Sequence, residues 1–369
     1  MNGLIAHEWI ERIGGAERVL DSFAELYPQA DLFCLWNDAP DRYGDRVVRE
    51  SSLARSPMRG RKAAALPTMP AIWNDIGRKD KDYDWMLVSS HLFAHHARVP
   101  KLDPARKFVY VHTPARYIWT PELDERGKSL AVRAVAPIFK ALDGRRGRAL
   151  QNVAANSSFV SDRIREAWGV ESTVIHPPVD VGRLTAVDEW AAVLNEHDRL
   201  IFDSLPEVFI LGASRFVPYK RLDVVIDAGD AVGVPVVIAG DGPEEQRLRE
   251  HALGRSTDTR FVISPSDALL AALMQRALVY VFPPVEDFGI MPVEAMALGT
   301  PVVVNAQGGA AESVLDGFTG AHVPDFHPST LAEAVTRAIA VDPRRARIRA
   351  DEFSEGRFAT RIQAWTGVI

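Results

Sequence analysis

Short runs of β-branched and aliphatic residues alternate with longer segments of helical period along this chain, and the alternation occurs twice. It predicts helices wrapped on a mostly parallel sheet, since parallel strands need a crossover, usually a helix, to return to the same edge. In the first series the strand candidates lie at 4–6, 31–36, 85–90, 107–112 and 152–157. Between the first two, "GAERVLDSFAELY" places Val19, Phe23 and Leu26 on one helix face at spacings of four and three. The second series, at 207–212, 234–240, 259–264, 277–283 and 300–305, is nearly continuous in hydrophobicity, as strands covered on both faces must be.

The prolines at 177 and 178 in "HPPVD" remove backbone donors and restrict their predecessors, so the boundary between the series falls there. The expectation is an α/β chain of two doubly wound domains, 1–177 and 178–349. A final helix at about 350–369, carrying Phe353, Phe358, Ile362 and Trp365, packs back on the first domain. A chain of 369 residues is also long for a single core. In such folds ligands sit at the carboxyl ends of strands, and two domains facing across a cleft bring two such edges to bear on one ligand. The loops after strands therefore hold the motifs worth reading.

Charge and composition exclude several classes. Lys plus Arg number 43 against 49 for Asp plus Glu, a formal net charge of -6, so the general phosphate attraction of a nucleic-acid binder is missing. Cys34 is the only cysteine, which excludes an intrachain disulfide and a multi-thiolate metal site and fits a reducing cytoplasm. The start, "MNGLIAHEWIERIGG", is too acidic and too short in apolar run for a secretory signal, and no window offers a bilayer span. Basic clusters at 59–62, 140–148 and 344–349 read either as solvated faces or as a peripheral contact with an anionic membrane at its inner face.

Local cations stand out against this acidic background. In "GASRFVPYKRLD", Arg215, Lys220 and Arg221 follow an apolar strand and precede a helix, where the macrodipole disfavours positive charge. A guanidinium and an ammonium together suit a diphosphate without a metal. Some seventy residues on, "VFPPVEDFGIMPVEAMALG" reads as strand, loop and helix. Pro292 suits a first helical turn, which would put Glu294 there as well, while Glu286 lies in the loop beside Gly289. Carboxylates accept from sugar and ribose hydroxyls, and helix amino termini supply donors to phosphate oxygens. Dipole preference alone accounts for Glu294 but not for Glu286.

In order, "SRFVPYKRLD", "AGDGPEEQRL", "PPVEDFGIMPVEAMALGTPVV" and "NAQGGAAESV" resemble the nucleotide-sugar half of retaining GT-B glycosyltransferases of family 4. "HEWIERIGGAERVL", "VYVHTPARYIW" and "AANSSFVSDRI" resemble its amino-terminal side, and the whole is most similar to a bacterial mannosyltransferase-like branch. The resemblance implies a GT-B fold with the donor held by the second domain. Arg215 and Lys220 would hold the diphosphate, Glu294 the ribose, and Glu286 the transferred sugar with Asp287, Phe288, Gly289 and Ile290. Gly14 and Gly15 would face the donor phosphates from the other domain, and Glu312 would lie on the same rim. His112, ending the strand "FVYVH", would line the reaction centre, and His7 and Glu8 would touch the acceptor side.

The implied reaction is retaining, metal-independent transfer of a hexose, leaning to mannose from GDP-mannose over a UDP-sugar, to a glycan, lipid-linked or small-molecule acceptor. No cofactor is implied. Nucleotide-sugar 2-epimerisation and non-catalytic nucleotide-sugar binding remain as alternatives. The doublet His95–His96 reads as helix surface, "DYD" at 82–84 precedes its strand and so lies away from the ligand edge, and "GDG" at 240–242 reads as a turn.

Overall fold

The computed structural model describes residues 1–120 and 130–368 of the chain. The chain divides into two units, Met1–Pro178 with Phe358–Ile369, and Val179–Arg357.

The first unit is built on a seven-stranded sheet: β1 Gly3–His7, β2 Asp31–Cys34, β3 Val48–Glu50, β4 Trp85–Ser90, β5 Lys107–Val111, β6 Asn152–Ala155 and β7 Thr173–Val174. Their order is β3-β2-β1-β4-β5-β6-β7. The second unit has six strands: β8 Ile210–Ala213, β9 Val236–Gly240, β10 Thr259–Ile263, β11 Val279–Phe282, β12 Val302–Asn305 and β13 Gly320–Val323, ordered β10-β9-β8-β11-β12-β13. The pairings within both sheets are parallel. The order reverses between β1 and β4 in one sheet and between β8 and β11 in the other, which is where a doubly wound sheet opens a crevice at its carboxyl edge.

Helices cover both faces of each sheet, so successive strand residues enter different cores. Leu4 and Ala6 join one apolar cluster while Ile5 joins another, and in the second unit Leu211 and Val237 oppose Ile210, Val236 and Ile238 in the same way. That is why the strands read as unbroken apolar runs. The helix Gly15–Leu26 buries Val19 and Phe23 on the first sheet. The last helix, Glu355–Thr366, lays Phe358 and Ile362 on the same cluster, with Phe358 stacked on Phe23 at 5.7 Å and the Tyr27 and Thr366 hydroxyls 2.9 Å apart. Phe353, two residues before that helix, belongs instead to the second unit's core beside Phe288.

The strands β3, β7 and β13 are absent from the sequence reading. Each ends its sheet, and each is short, polar or opened by glycine, so none carries an apolar run of its own.

Candidate functional site

In the first unit, His7 and Ser89 are register partners at the ends of β1 and β4, at the sheet's switch point, and His112 follows β5 beside them. His7 Nδ1 lies 3.0 Å from Ser89 Oγ, and the same oxygen lies 2.8 Å from His112 Nε2. A hydroxyl has one proton, so with neutral rings it donates to one imidazole and accepts from the other, which fixes opposite tautomeric roles for the two histidines. Burial holds His7 below the usual histidine range, and burial together with the neighbouring His91 and His7 holds His112 well below it. Both rings are therefore neutral hydrogen-bonding groups at pH 7. Nε2 of His7 is buried without a hydrogen-bond partner among the described residues.

Glu8 is fully buried, and its Oε1 accepts from the amides of His91, Leu92 and Ala94 at 3.1, 2.8 and 2.8 Å. The carboxylate thus shapes the loop after β4, rather than reaching out towards an acceptor. Its Oε2 lies 3.3 Å from His91 Nδ1, and the ring of His91 packs edge-on against Trp9 at 4.7 Å. His7, Glu8 and His91 bring ligand atoms within 4.8 Å of one another, the one set at this edge with the spacing of a cation site among the described residues.

Gly14 is the residue before the helix Gly15–Leu26, and Gly15 is its first residue. Both therefore lie at the helix start. A Cβ on Gly14 would sit 1.9 Å from Glu17 Oε2, so the buried Glu17 carboxyl takes the space a side chain would fill. Burial raises the pKa of Glu17.

His95 and His96 are not helix surface: both are buried. Their Nε2 atoms each lie 3.0 Å from Asp143 Oδ1, and Oδ2 accepts from the indole N–H groups of Trp119 and Trp168, both at 2.8 Å. A carboxylate bonded by the ring of His96 and two indoles, with the ring of His95 against it, is a core clamp, and nothing in the spacing of a histidine doublet announces a partner nearly fifty residues away. Asp82, Tyr83 and Asp84 precede β4, with Tyr83 donating to Asp31 Oδ2 at 2.6 Å.

In the second unit, Lys220 comes from the loop after β8 and Glu286 from the loop after β11, the two strands that flank that sheet's switch point. Lys220 Nζ donates to Glu286 Oε1 at 2.6 Å, with side chains 14% and 17% exposed. Lys220 also lies over the rings of Tyr219 and Phe282. Arg215 is exposed and donates to the Tyr219 hydroxyl at 3.3 Å, with no ion pair among the described residues. Arg221 adopts φ 52° before the helix Leu222–Val232 and is answered by Asp223. The amino end of that helix therefore carries Lys220 and Arg221, each matched by a carboxylate, and Arg215, which is not.

The helix after β11 spans Ile290–Ala297, starting two residues before Pro292. Glu294 accordingly lies beyond its first turn, and it is buried at 9% exposure. The helix starts early because Gly289, at φ 96°, makes the left-handed entry that a residue with a Cβ resists. Phe288 is buried in the core and Asp287 is 9% exposed. The glycine pair after β12 closes on this loop: Gly309 N–H donates to the Glu286 carbonyl at 2.7 Å, and a Cβ on Gly309 would sit 2.0 Å from the Asp287 carbonyl oxygen. Glu312 lies in the short helix that follows, Ala310–Ser313. Only glycine at 309 lets the two loops approach this closely, which sets the height of Glu286 beside Lys220.

Comparison with known proteins agrees with this geometry. The family described as "Glycosyl transferases group 1" matches residues 199–352, and "Glycosyltransferase Family 4" matches residues 13–183. The chain is similar to a GDP-mannose-dependent alpha-(1-6)-phosphatidylinositol monomannoside mannosyltransferase of Mycolicibacterium smegmatis, 32% identical over 371 residues that cover 93% of this chain and 90% of the relative. It is 37% identical to a phosphatidyl-myo-inositol mannosyltransferase of Mycobacterium leprae over 51% of the chain. It spans about half the length of that relative (50%) and of a D-inositol 3-phosphate glycosyltransferase of Streptomyces bingchenggensis (46%). Among solved structures, Anabaena HepE in complex with UDP superposes with TM-score 0.66 at 20% identity, each chain covered to 100%. Sucrose-phosphate synthase from Thermosynechococcus elongatus gives 0.68 at 16%, covering 99% of this chain and 98% of that one. These likenesses show the GT-B fold of two Rossmann-like domains, and the mycobacterial relative that matches along nearly the whole chain shows its family: the chain belongs to glycosyltransferase family 4.

Proposed function

We propose that the chain is a retaining, metal-independent hexosyltransferase that takes mannose from GDP-mannose and passes it to a hydroxylated acceptor. The observation that carries this reading is the Lys220–Glu286 pair at the switch point of the second sheet, with Arg215 from the same loop making no ion pair among the described residues. In this reading Arg215 and Lys220 meet the donor diphosphate, Glu294 the ribose, and Glu286 with the 287–290 loop the transferred sugar. The choice of mannose rests on the names of the relatives, which include GDP-mannose-dependent mannosyltransferases.

Breaking the bond between sugar and diphosphate develops negative charge on the leaving phosphate and positive charge on the anomeric carbon. Fixed cations that meet the first stabilise the transition state, and losing one such group costs on the order of 3 kcal/mol. As the C–O bond breaks, the departing phosphate oxygen takes the acceptor's proton while the acceptor oxygen attacks from the same face, so the configuration is kept. Glu286 grips a hydroxyl and is not a nucleophile in this scheme. In the first unit His112 lines the reaction centre and His7 the acceptor side, both as neutral hydrogen-bonding groups, and Gly14 and Gly15 offer the amide end of a helix to phosphate.

The test is a panel of GDP- and UDP-sugars screened by thermal stabilisation of the full chain, followed by transfer assays with the stabilising donor and NMR of the product anomer. Selective stabilisation by GDP-mannose and a product of retained configuration are expected. Stabilisation by UDP-sugars alone overturns the donor. Conversion of donor to its epimer without an acceptor overturns transfer in favour of epimerisation, and tight binding with neither reaction overturns catalysis.

A further inference from the structure

A cavity of about 480 Å³ opens in the first unit where β4 and β5 begin, at the opposite edge of the sheet from His7, Ser89 and His112. Such volume lies in the range of small-molecule pockets. Met86, Val99 and Leu102 give it apolar walls, and Arg98, Lys107 and Arg146 bring three cations to it.

Among the described residues no carboxylate forms an ion pair with any of these three groups, although Asp143 lies close enough to act on Arg146. Among the described residues Lys107 Nζ donates to the carbonyls of His95 and Ala97, at 2.6 and 2.7 Å, and to no carboxylate. Arg146 donates to the Pro70 carbonyl at 2.9 Å, and Arg98 is exposed with no side-chain hydrogen bond or ion pair among the described residues. Of the acids nearby, Asp103 lines the cavity but accepts from the Ala105 amide at 2.9 Å, and Asp143 is taken up by His95, His96 and two indoles. Burial, with Arg98 and Arg146 close by, pushes Lys107 down to about 7. Three cations that repel one another around an apolar hollow are stabilised by an anion that brings its own apolar body, and two guanidiniums with one ammonium match a phosphoryl group.

We propose that this cavity binds a phosphate ester with an apolar body, its phosphoryl oxygens meeting Arg98, Lys107 and Arg146 and its body lying on Met86, Val99 and Leu102. The site stands apart from the sheet's ligand edge, so its occupant is a second ligand rather than the sugar donor. Binding also recharges Lys107, so above about pH 7 the complex takes up a proton on forming.

The test is titration calorimetry of the full chain with hexyl phosphate, in two buffers of different ionisation enthalpy at about pH 8. Saturable binding with proton uptake is expected in the wild type and in Lys220→Ala. In Arg98→Glu binding is expected to weaken at least about tenfold, a change of about 1.4 kcal/mol. Lys107→Met is expected to weaken it too and to abolish the proton uptake. Arg98 is exposed and makes no side-chain hydrogen bond or ion pair among the described residues, so its replacement tests the site with little risk to the fold. No saturable binding by the wild type overturns the proposal, as does binding that survives Arg98→Glu, or that disappears in Lys220→Ala and so belongs to the other unit. Vesicles of phosphatidylcholine with and without phosphatidate separate the sources. Retention on phosphatidate that Arg98→Glu abolishes identifies a lipid headgroup, and hexyl phosphate binding without such retention identifies a free phosphate ester.

Discussion

Lys220 and Glu286 form an ion pair of 2.6 Å between the loops that follow the two strands at the switch point of the second sheet. The pair is one-seventh to one-sixth exposed, so each side chain is held in place by the other, and in the function proposed above it is this preset ammonium that a diphosphate would meet. The same proposal has Glu286 exchange the ammonium for a sugar hydroxyl once the diphosphate takes Lys220.

Lys220→Ala removes the cation from this arrangement and leaves Arg215 alone. Turnover with the stabilising donor is expected to fall by about 10²–10³-fold, the cost of one preorganised charge-stabilising donor. The far-UV circular dichroism spectrum should not change. Turnover within a factor of about three of wild type would remove Lys220 from the diphosphate.

Glu286→Gln separates the sugar from the nucleotide. It keeps the shape of the side chain but releases Lys220 from its partner, so free nucleoside diphosphate should bind at least as tightly as to wild type while transfer is lost. Calorimetry with GDP beside a transfer assay reads both. Nucleotide affinity falling in step with transfer would contradict the assignment of Glu286 to the sugar.

Asp143→Ala addresses the core clamp in the first unit. It strips two imidazoles and two indoles of their common acceptor, leaving buried N–H groups unmatched. Urea unfolding is expected to show a loss of about 3–5 kcal/mol, since each buried donor left unmatched costs about 1–3 kcal/mol. A loss under about 1 kcal/mol would mean that water replaces the carboxylate.

The buried histidines give stability a pH dependence whose sign follows from their depressed pKa values. His96 is pushed down to about 3 by burial, with His95 beside it, and His7 and His112 are also lowered. In the unfolded chain each takes a proton near pH 6.5, so below that pH the unfolded state binds more protons and stability falls as pH drops. For His112 the facing groups are Ser89, His7, His91 and Tyr110. Replacing it by glutamine should flatten the curve of unfolding free energy between about pH 6.5 and 4 by up to one proton. Parallel curves for wild type and variant would show that His112 titrates normally in the folded protein.

What was legible in the sequence was what local chemistry fixes. Nearly continuous apolar runs such as "VVIA" demand a strand buried on both faces, helical spacing of Val19 and Phe23 demands a helix laid on it, and together they give the doubly wound α/β class. The cation loop and Glu286 were legible for the same reason, since charge placed just after a buried strand emerges at the carboxyl edge. Contacts between distant segments were not. The start of the Ile290–Ala297 helix depended on the backbone of Gly289, the burial of His95 and His96 on Asp143 nearly fifty residues away, and the shared hydroxyl of His7 and His112 on strand register. Periodicity and residue type report which face a side chain takes. Which partner waits on that face is decided by packing, because the free energy of a buried polar group lies in a neighbour that the local sequence does not contain.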